Sequence, residues 1–273
     1  MIKLLNNNDK KMVLDYLCNH EIETTFLIGN VTCFGLENDK AIRRGGDYYG
    51  YFENNTLRGL LPFYNLGSCI PHYETPAAIP FFVELLKEKN FEFLLGMEKI
   101  VKPLYEEIKA SKTTLKYSED SYYVNKAFKP FYLEGITFVD ADASSNDIVK
   151  FVQRANLEGF GNERTKEDVI NSLTHSSEEE DFIFVVVDGK IRAQANIQTT
   201  TSTINQVGAV FTSSEERGKG YCKAAVSEIC RRILERGKTP TLMVTKSNTP
   251  AVKAYTSLGF KHYDDYLIIK LKI

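Results

Sequence analysis

Two glycines and two basic residues fall together in FTSSEERGKGYCKAAV, residues 211–226: Arg217, Gly218, Lys219 and Gly220. Between a strand and a helix, such a run aims several backbone N–H groups at one point. The helix N-terminus adds partial positive charge, so the arrangement suits a phosphate. Arg217 and Lys219 would contribute side-chain charge. The same residues equally make an ordinary strand–turn–helix joint, with glycine serving the turn and the cations solvated. Two familiar phosphate loops do not fit. The pattern G-x-x-x-x-G-K-[ST] is absent from the chain. The dinucleotide pattern G-x-G-x-x-G starts at Gly218 and Gly220 but meets Lys223 at its third glycine. It also follows hairpin strands where a parallel βαβ opening would be needed.

The elements that must position this loop are legible around it. NDIVKFVQRANLEGF has apolar residues at helical spacing, and KEDVINSLTH reads as a second short helix. After an acidic run come FIFVVV and IRAQANIQTT, joined at Asp188-Gly189, a hairpin signal. INQVGAVFT follows as a strand that ends at the loop. The helix beyond it, residues 218–235, places Cys222, Val226, Ile229, Cys230 and Ile233 on one face. A strand TLMVT, a helix TPAVKAYTSLG with Pro250 in its first turn, and a strand YLIIKL complete the order αα-βββ-α-β-α-β.

The first half echoes this order. Residues 48–70 form another strand–turn–strand in which NNTLRG lies against DGKIRA, so Leu57 corresponds to Ile191 and Arg58 to Arg192. PAAIPFFVELLKEK reads as a helix and FEFLLG as a buried strand before MEKIVKPLYEEIK. That last strand–helix step takes the place of the glycine loop, with one glycine and no RGxG. The expected division is residues 1–130, without a cofactor, and 131–273, with Pro130 interrupting regular structure near the boundary.

Composition bounds the function. In 273 residues, Lys plus Arg number 34 against 36 Asp plus Glu, a formal net charge of −2 that argues against a nucleic-acid binder. The five cysteines have no metal-binding spacing, so reduced thiols, no metal site and a cytoplasmic setting are expected. The N-terminus lacks a signal-peptide core, and no apolar run approaches the roughly 18 residues of a membrane span.

The order of elements, the strand ending AVFT, the loop RGKGYC and the distal NTPAVKAYTSLGF together resemble the GNAT superfamily of acyl-CoA-dependent N-acetyltransferases. The family loop is [QR]-x-x-G-x-[GA]; Arg217 and Gly220 match it, and Cys222 stands at the last small position. The resemblance implies a mixed, mostly antiparallel α/β sheet flanked by helices, here as a tandem of two GNAT-like domains. It further implies acetyl-CoA as co-substrate, held by the main chain of Val210, Phe211 and Thr212. Its pyrophosphate would lie on residues Arg217, Gly218, Lys219, Gly220, Tyr221 and Cys222. Asn248 would bond the cofactor arm or the local backbone.

Tyr255 would be the proton donor to the leaving thiolate, and the Phe211 N–H would receive the carbonyl oxygen as charge develops on it. An acceptor amine with pKa about 10.4 is largely protonated at neutral pH, so a base is useful. Glu158 is the first candidate, with Glu163, Gln206, Asp264 and Asp265 as alternatives. Glu215 and Glu216 are expected to face solvent or the adenosine, His175 and His262 to have no role, and Cys222 and Cys230 to pack. The expected partner is a small-molecule amine, with no nucleic acid or membrane and a monomeric or homodimeric chain. A catalytically silent acyl-CoA-binding regulatory module and an aminoacyl-tRNA-dependent transferase are the alternatives.

Overall fold

The computed structural model describes residues 1–174 and 181–273. Two compact units divide the chain, Met1–Tyr122 with Tyr263–Ile273, and Tyr123–His262. In order the elements begin β1 (Ile2–Leu4), α1 (Lys10–Cys18), α2 (Glu21–Phe34), β2 (Gly46–Glu53), β3 (Thr56–Tyr64), β4 (Ser68–Cys69) and β5 (His72–Tyr73). They continue α3 (Ile79–Glu88), β6 (Phe93–Met97), α4 (Glu98–Ile108) and β7 (Thr114–Val124). Then come β8 (Thr137–Asp140), α5 (Asn146–Phe160), α6 (Lys166–Thr174), β9 (Phe182–Val187), β10 (Lys190–Thr200) and β11 (Ile204–Thr212). Last are α7 (Tyr221–Glu235), β12 (Thr239–Thr245), α8 (Thr249–Ser257) and β13 (Lys261–Leu271).

Sheet order in the first unit is β1-β2-β3-β4-β6-β13-β7, with β5 on β3; in the second it is β12-β11-β10-β9-β8. Neighbours are mostly antiparallel, with parallel pairs β4–β6 and β11–β12. The sequence suggested one cut at 130/131, but the compact units divide at 122/123 and again at 262/263. The final strand accounts for the second cut. Tyr266 to Lys270 of β13 pair in register with Met97 to Phe93 of β6, and Leu267 and Ile269 are fully buried. The edge strand β8 carried no sequence signal because all four of its residues are exposed.

In the second unit α7 lies on one face of the sheet, with Val226, Ile229, Cys230 and Ile233 against Ala193, Ala195, Ile197 and Val207. On the other face, α5 and α6 set Phe151, Val152 and Val169 against Phe184 and Phe211. This double covering explains why β9 reads as an unbroken apolar run.

The two hairpins share a construction. Asn54 and Asn55 have φ of 47° and 61°, and Asp188 and Gly189 have 48° and 70°, as two-residue type I′ turns require. Each hairpin then leaves one arginine out of register: Arg58 between the pairs Tyr51–Gly59 and Phe52–Leu57, Arg192 between Ile191–Val186 and Ala193–Val185. Arg58 reaches Glu74 and Arg192 reaches Glu216, both at 2.6 Å. The correspondence of Leu57 with Ile191 and Arg58 with Arg192 therefore holds in geometry. Beyond the hairpins, the two units align differently from the sequence expectation. The chain after Glu216 is the glycine loop and α7, so its counterpart is residues 74–80 and α3, while β6–α4 answers to β12–α8.

On α2, the half-buried carboxylate of Glu23 ties several elements of the first unit together. Glu23 accepts from Lys99 Nζ at 2.5 Å and the Tyr263 hydroxyl at 2.6 Å, and lies 3.3 Å from His72 Nε2. Burial raises the Glu23 carboxyl, but the bonds from His72, Lys99 and Tyr263 outweigh it and hold the pKa down at about 2. With its folded value depressed, Glu23 stabilises the fold fully above its unfolded value of about 4.3, and that contribution is lost as pH falls toward about 2. Glu23→Gln should therefore cost roughly 2 kcal/mol at neutral pH. Denaturant titrations across pH should show the deficit shrinking between about pH 4 and pH 2; a deficit independent of pH would refute the charge argument.

Candidate active site

Strand β11 is built to leave its neighbour. It pairs in parallel with β12 from Ile204–Thr239 to Val207–Leu242, and the register ends there although both strands continue. At that point Ala209 takes φ of 46°, and Ala209 and Val210 together face Ala195 of β10. The buried Gln194 side chain donates from Nε2 to the Ala209 carbonyl at 3.0 Å and pins the bulge. Gly208, with no Cβ, leaves room for the Gln198 amide to lie against the strand. Beyond the bulge, β11 has a free edge toward the gap.

The direction of that edge follows from the ladder. Ser213 N–H donates to the Arg192 carbonyl, in the same register that pairs Thr212 with Ala193 and Phe211 with Gln194. Antiparallel pairs alternate between bonded and non-bonded. The Phe211 amide therefore turns toward β10, whereas those of Thr212 and Val210 turn into the gap. This corrects the assignment of Phe211 N–H as the oxyanion donor. The Phe211 ring has a structural task on the α5 face, 5.7 Å from Phe151 and against Gly159.

The loop after β11 keeps its donors unspent. Gly218 and Gly220 have φ of 82° and 86°, and Gly220 is the N-cap of α7 without a side chain to cap it. The first intrahelical bond runs from Ala224 N–H to Gly220, leaving the amides of Tyr221, Cys222 and Lys223 free of helical partners. Contrary to expectation, Glu216 is buried and anchors the loop, bonding Arg192 at 2.6 Å and Lys219 at 2.7 Å. Those contacts hold its carboxyl below the usual range, against the effect of burial, the Lys219 bond contributing most. Lys219 is thus occupied. Arg217 is exposed, its Nε 3.5 Å from the Thr212 carbonyl.

A cleft of about 450 Å³ unites these parts, lined among others by Val210, Phe211, Thr212, Arg217, Gly218 and Gly220. Tyr221, Cys222, Asn248 and Tyr255 complete the wall along with Lys223, which in the sequence stood out only as the residue that broke the dinucleotide pattern. Asn248 caps α8, its side chain accepting from Ala251 N–H at 3.3 Å, so of the two roles foreseen it fills the local one. Tyr255 is only 5% exposed, and burial pushes its phenol well above 10. Cys222 packs beside it in the cleft wall, and burial raises the thiol to about 11 and keeps it protonated. That disfavours a cysteine nucleophile.

The proposed bases are not gathered at the cleft. Glu158 is held by Arg154 at 2.7 Å, and Arg154 also grips Glu215 with two bonds of 2.9 and 2.8 Å. Glu163 is exposed on the loop after α5. Asp264 and Asp265 group with the first unit. Gln206 is an amide and takes no proton at working pH. His262 stacks edge-on with Tyr123 at 5.6 Å, and His175 lies outside the described residues. Among the described residues no cluster of His, Cys, Asp and Glu is suited to a metal, and no helix is long and apolar enough to cross a membrane.

An open, largely antiparallel sheet flanked by helices, with a strand splaying into a glycine loop and helix, is the GNAT fold, present here in tandem. Residues 186–269, which carry the loop and Tyr255, match the family model described as FR47-like protein. A GCN5-related N-acetyltransferase from Sphaerobacter thermophilus aligns over 99% of this chain and 95% of its own, with TM-score 0.68 and 15% identity. A GNAT-family acetyltransferase from Colwellia psychrerythraea covers 100% of both chains at TM-score 0.63 and 14% identity. A tandem GNAT protein of the clavulanic acid biosynthesis pathway, solved without acetyl-CoA, covers 99% and 97% at TM-score 0.63 and 13% identity. At such identities the likeness is one of fold. No curated protein matches the sequence.

On the α5 face of β10 and β11 lies a row of neutral amides with unmet bonds: Gln194 Oε1, Asn196 Oδ1 and both ends of Gln206. Gln206 is wholly buried, and a buried amide without partners costs about 1–3 kcal/mol. Gln206→Met, of similar volume, should raise stability by about 1 kcal/mol. A loss of stability in chemical denaturation would show that the amide is bonded in solution.

Proposed function

We propose that the second unit is an acetyl-CoA-dependent N-acetyltransferase that moves an acetyl group to a primary amine of a small molecule. The observation that carries this reading is the meeting, in one cleft, of β11's free edge, the uncapped start of α7 and the buried Tyr255 hydroxyl. The cofactor would supply the activated acyl group and its phosphates. Gly218 and Gly220 let the backbone come close, and the amides of Tyr221, Cys222 and Lys223 are the donors for the pyrophosphate. Val210 and Thr212 offer main-chain groups to the pantetheine arm, and one of their outward N–H groups takes the oxyanion role.

Direct attack by the amine in a ternary complex fits the absence of an activated thiol, since Cys222 stays protonated. Tyr255 acts as the acid toward the departing sulfur. Its raised pKa keeps it in the donor form throughout the working range. None of the carboxylates considered lines this cleft, so the reading assigns the amine proton to solvent or to a water chain. The first unit is assigned no cofactor. At the start corresponding to the glycine loop, Pro76 and Pro80 lack N–H groups and the Thr75 side chain already caps Ala77. The small acceptor, the monomeric or homodimeric state and the lack of a nucleic-acid partner are parts of the same proposal.

Calorimetry with acetyl-CoA, followed by thiol release over a panel of amines, tests it; no binding at millimolar cofactor would end the reading. Tyr255→Phe should lower kcat roughly a hundredfold with little change in cofactor affinity. The wild-type rate should rise with pH as the amine deprotonates, with no falling limb below about pH 10. A falling limb at lower pH would remove Tyr255 from the acid role.

A further inference from the structure

No step of the reaction above uses the unmet amides on the α5 face of β10 and β11. Gln194 Oε1, Asn196 Oδ1 and Gln206 Oε1 are acceptors, and Gln206 Nε2 is a donor. Gln194 and Gln206 are wholly buried. The ladder groups them: Gln194 lies opposite Phe211, Asn196 opposite Gly208, and Gln206 two residues before Gly208 on the same face. The row starts at the splay itself, because the other end of the Gln194 amide holds the Ala209 carbonyl. At Gly208 its cover is one exposed side chain. Gln198, bulged between Ile197 and Thr199, lays its amide into the space a Cβ on Gly208 would take.

Every group in the row is neutral. The charged residues of α5 and α6, the helices on this face, are exposed apart from Arg154, which is tied to Glu158 and Glu215. Unmet oxygens outnumber the unmet donor, which suits a ligand rich in N–H groups. An ammonium placed there gives up its water and gains no countercharge, so burial favours the uncharged amine. A carboxylate in the row would do the reverse and hold the amine protonated.

Resting on the acetyltransferase reading above, we propose that the row of Gln194, Asn196 and Gln206 takes the acceptor amine as its neutral free base. The ammonium gives its proton to solvent as it enters, and the two N–H groups that remain donate to amide oxygens. The nitrogen lone pair is left for the thioester carbonyl. Transfer then needs no further proton sink: the N–C bond forms, the C–S bond breaks, and the hydrogen that nitrogen loses equals the one that sulfur gains. A dedicated base is superfluous, in keeping with candidate bases that do not line the cleft. Gln206 Nε2 remains for a hydroxyl or carbonyl of the acceptor. The class favoured is a primary amine with no second charge, since the row offers such a charge no partner.

The test is calorimetry on the full chain saturated with CoA, titrated with propylamine near neutral pH in two buffers of different ionisation enthalpy. Binding should release about one proton per amine, because the free amine is almost wholly protonated there. In assays with acetyl-CoA, the KM for total propylamine should fall about tenfold per pH unit while kcat stays level. Gln206→Met should weaken propylamine roughly tenfold and spare CoA. Gln206→Glu should suppress proton release by taking the ammonium. Binding without proton release in wild type, a KM independent of pH, or unchanged amine affinity in Gln206→Met would each overturn the proposal. So would a chain that binds CoA and takes no amine. A chain that binds no CoA fails the cofactor reading itself, a separate result.

Discussion

The site depends on one constraint: β11 must part from β12 while keeping its place against β10. A strand that ends its pairing on one side inside a covered sheet leaves main-chain groups without partners, a costly state for a buried backbone. Here the cost is localised. Ala209 accepts a positive φ, Gly208 makes room for Gln198, and Gln194 bonds the bulged carbonyl. The Phe211 ring, set into the α5 face beside Phe151, holds the strand past the bulge. A ligand that presents amides along its length can complete such an edge as a strand would. The splay is therefore the weak point of the sheet and, on the proposed reading, the feature that makes it a binding surface.

The electrostatics of the loop follow from the same hairpin that supports the splay. Arg192, out of register in β10, reaches the buried Glu216, and Glu216 in turn holds Lys219. One cation that looks available in sequence is thereby spent on fixing the loop, which leaves Arg217 and Lys223 in the lining. The first unit repeats the device with Arg58 and Glu74, then diverges one residue later into Thr75-Pro76 where the second unit has Arg217-Gly218. Scaffold and site are separable: the same hairpin and arginine–glutamate clamp serve one helix start rich in free amides and another poor in them.

What was legible in the sequence divides along physical lines. The turns at Asn54-Asn55 and Asp188-Gly189, the glycine loop and the Asn248 cap are written in local residue types, and each formed where expected. The β-rich run INQVGAVFT, ending at the loop, likewise identified β11. Its hydrogen-bond phase is a property of the ladder with β10, so the sequence could not say that the Phe211 amide points away from the gap. The surface tether of Glu158 was readable, since Arg154 stands four residues before it on a helix. The burial of Glu216 was not, because its partner Arg192 comes from a bulge two strands' length away. The last strand was assigned by chain order, whereas its register with β6 is set by long-range pairing.

The packing of Tyr255 beside Cys222 shows how a departure from a family pattern can carry meaning. A buried phenol requires a partner, and a glycine or alanine at position 222 would offer none from its side chain. A thiol is a far weaker acceptor than a carboxylate, which would hold the proton. Burial raises both groups, so neither ionises and the pair stays neutral. On the proposed reaction, a developing thiolate in the cleft would be a much better acceptor than a neutral thiol, and the hydroxyl would gain by turning to it. On that reading, a cysteine at the loop's last small position gives the tyrosine a polar neighbour that does not compete strongly for its proton.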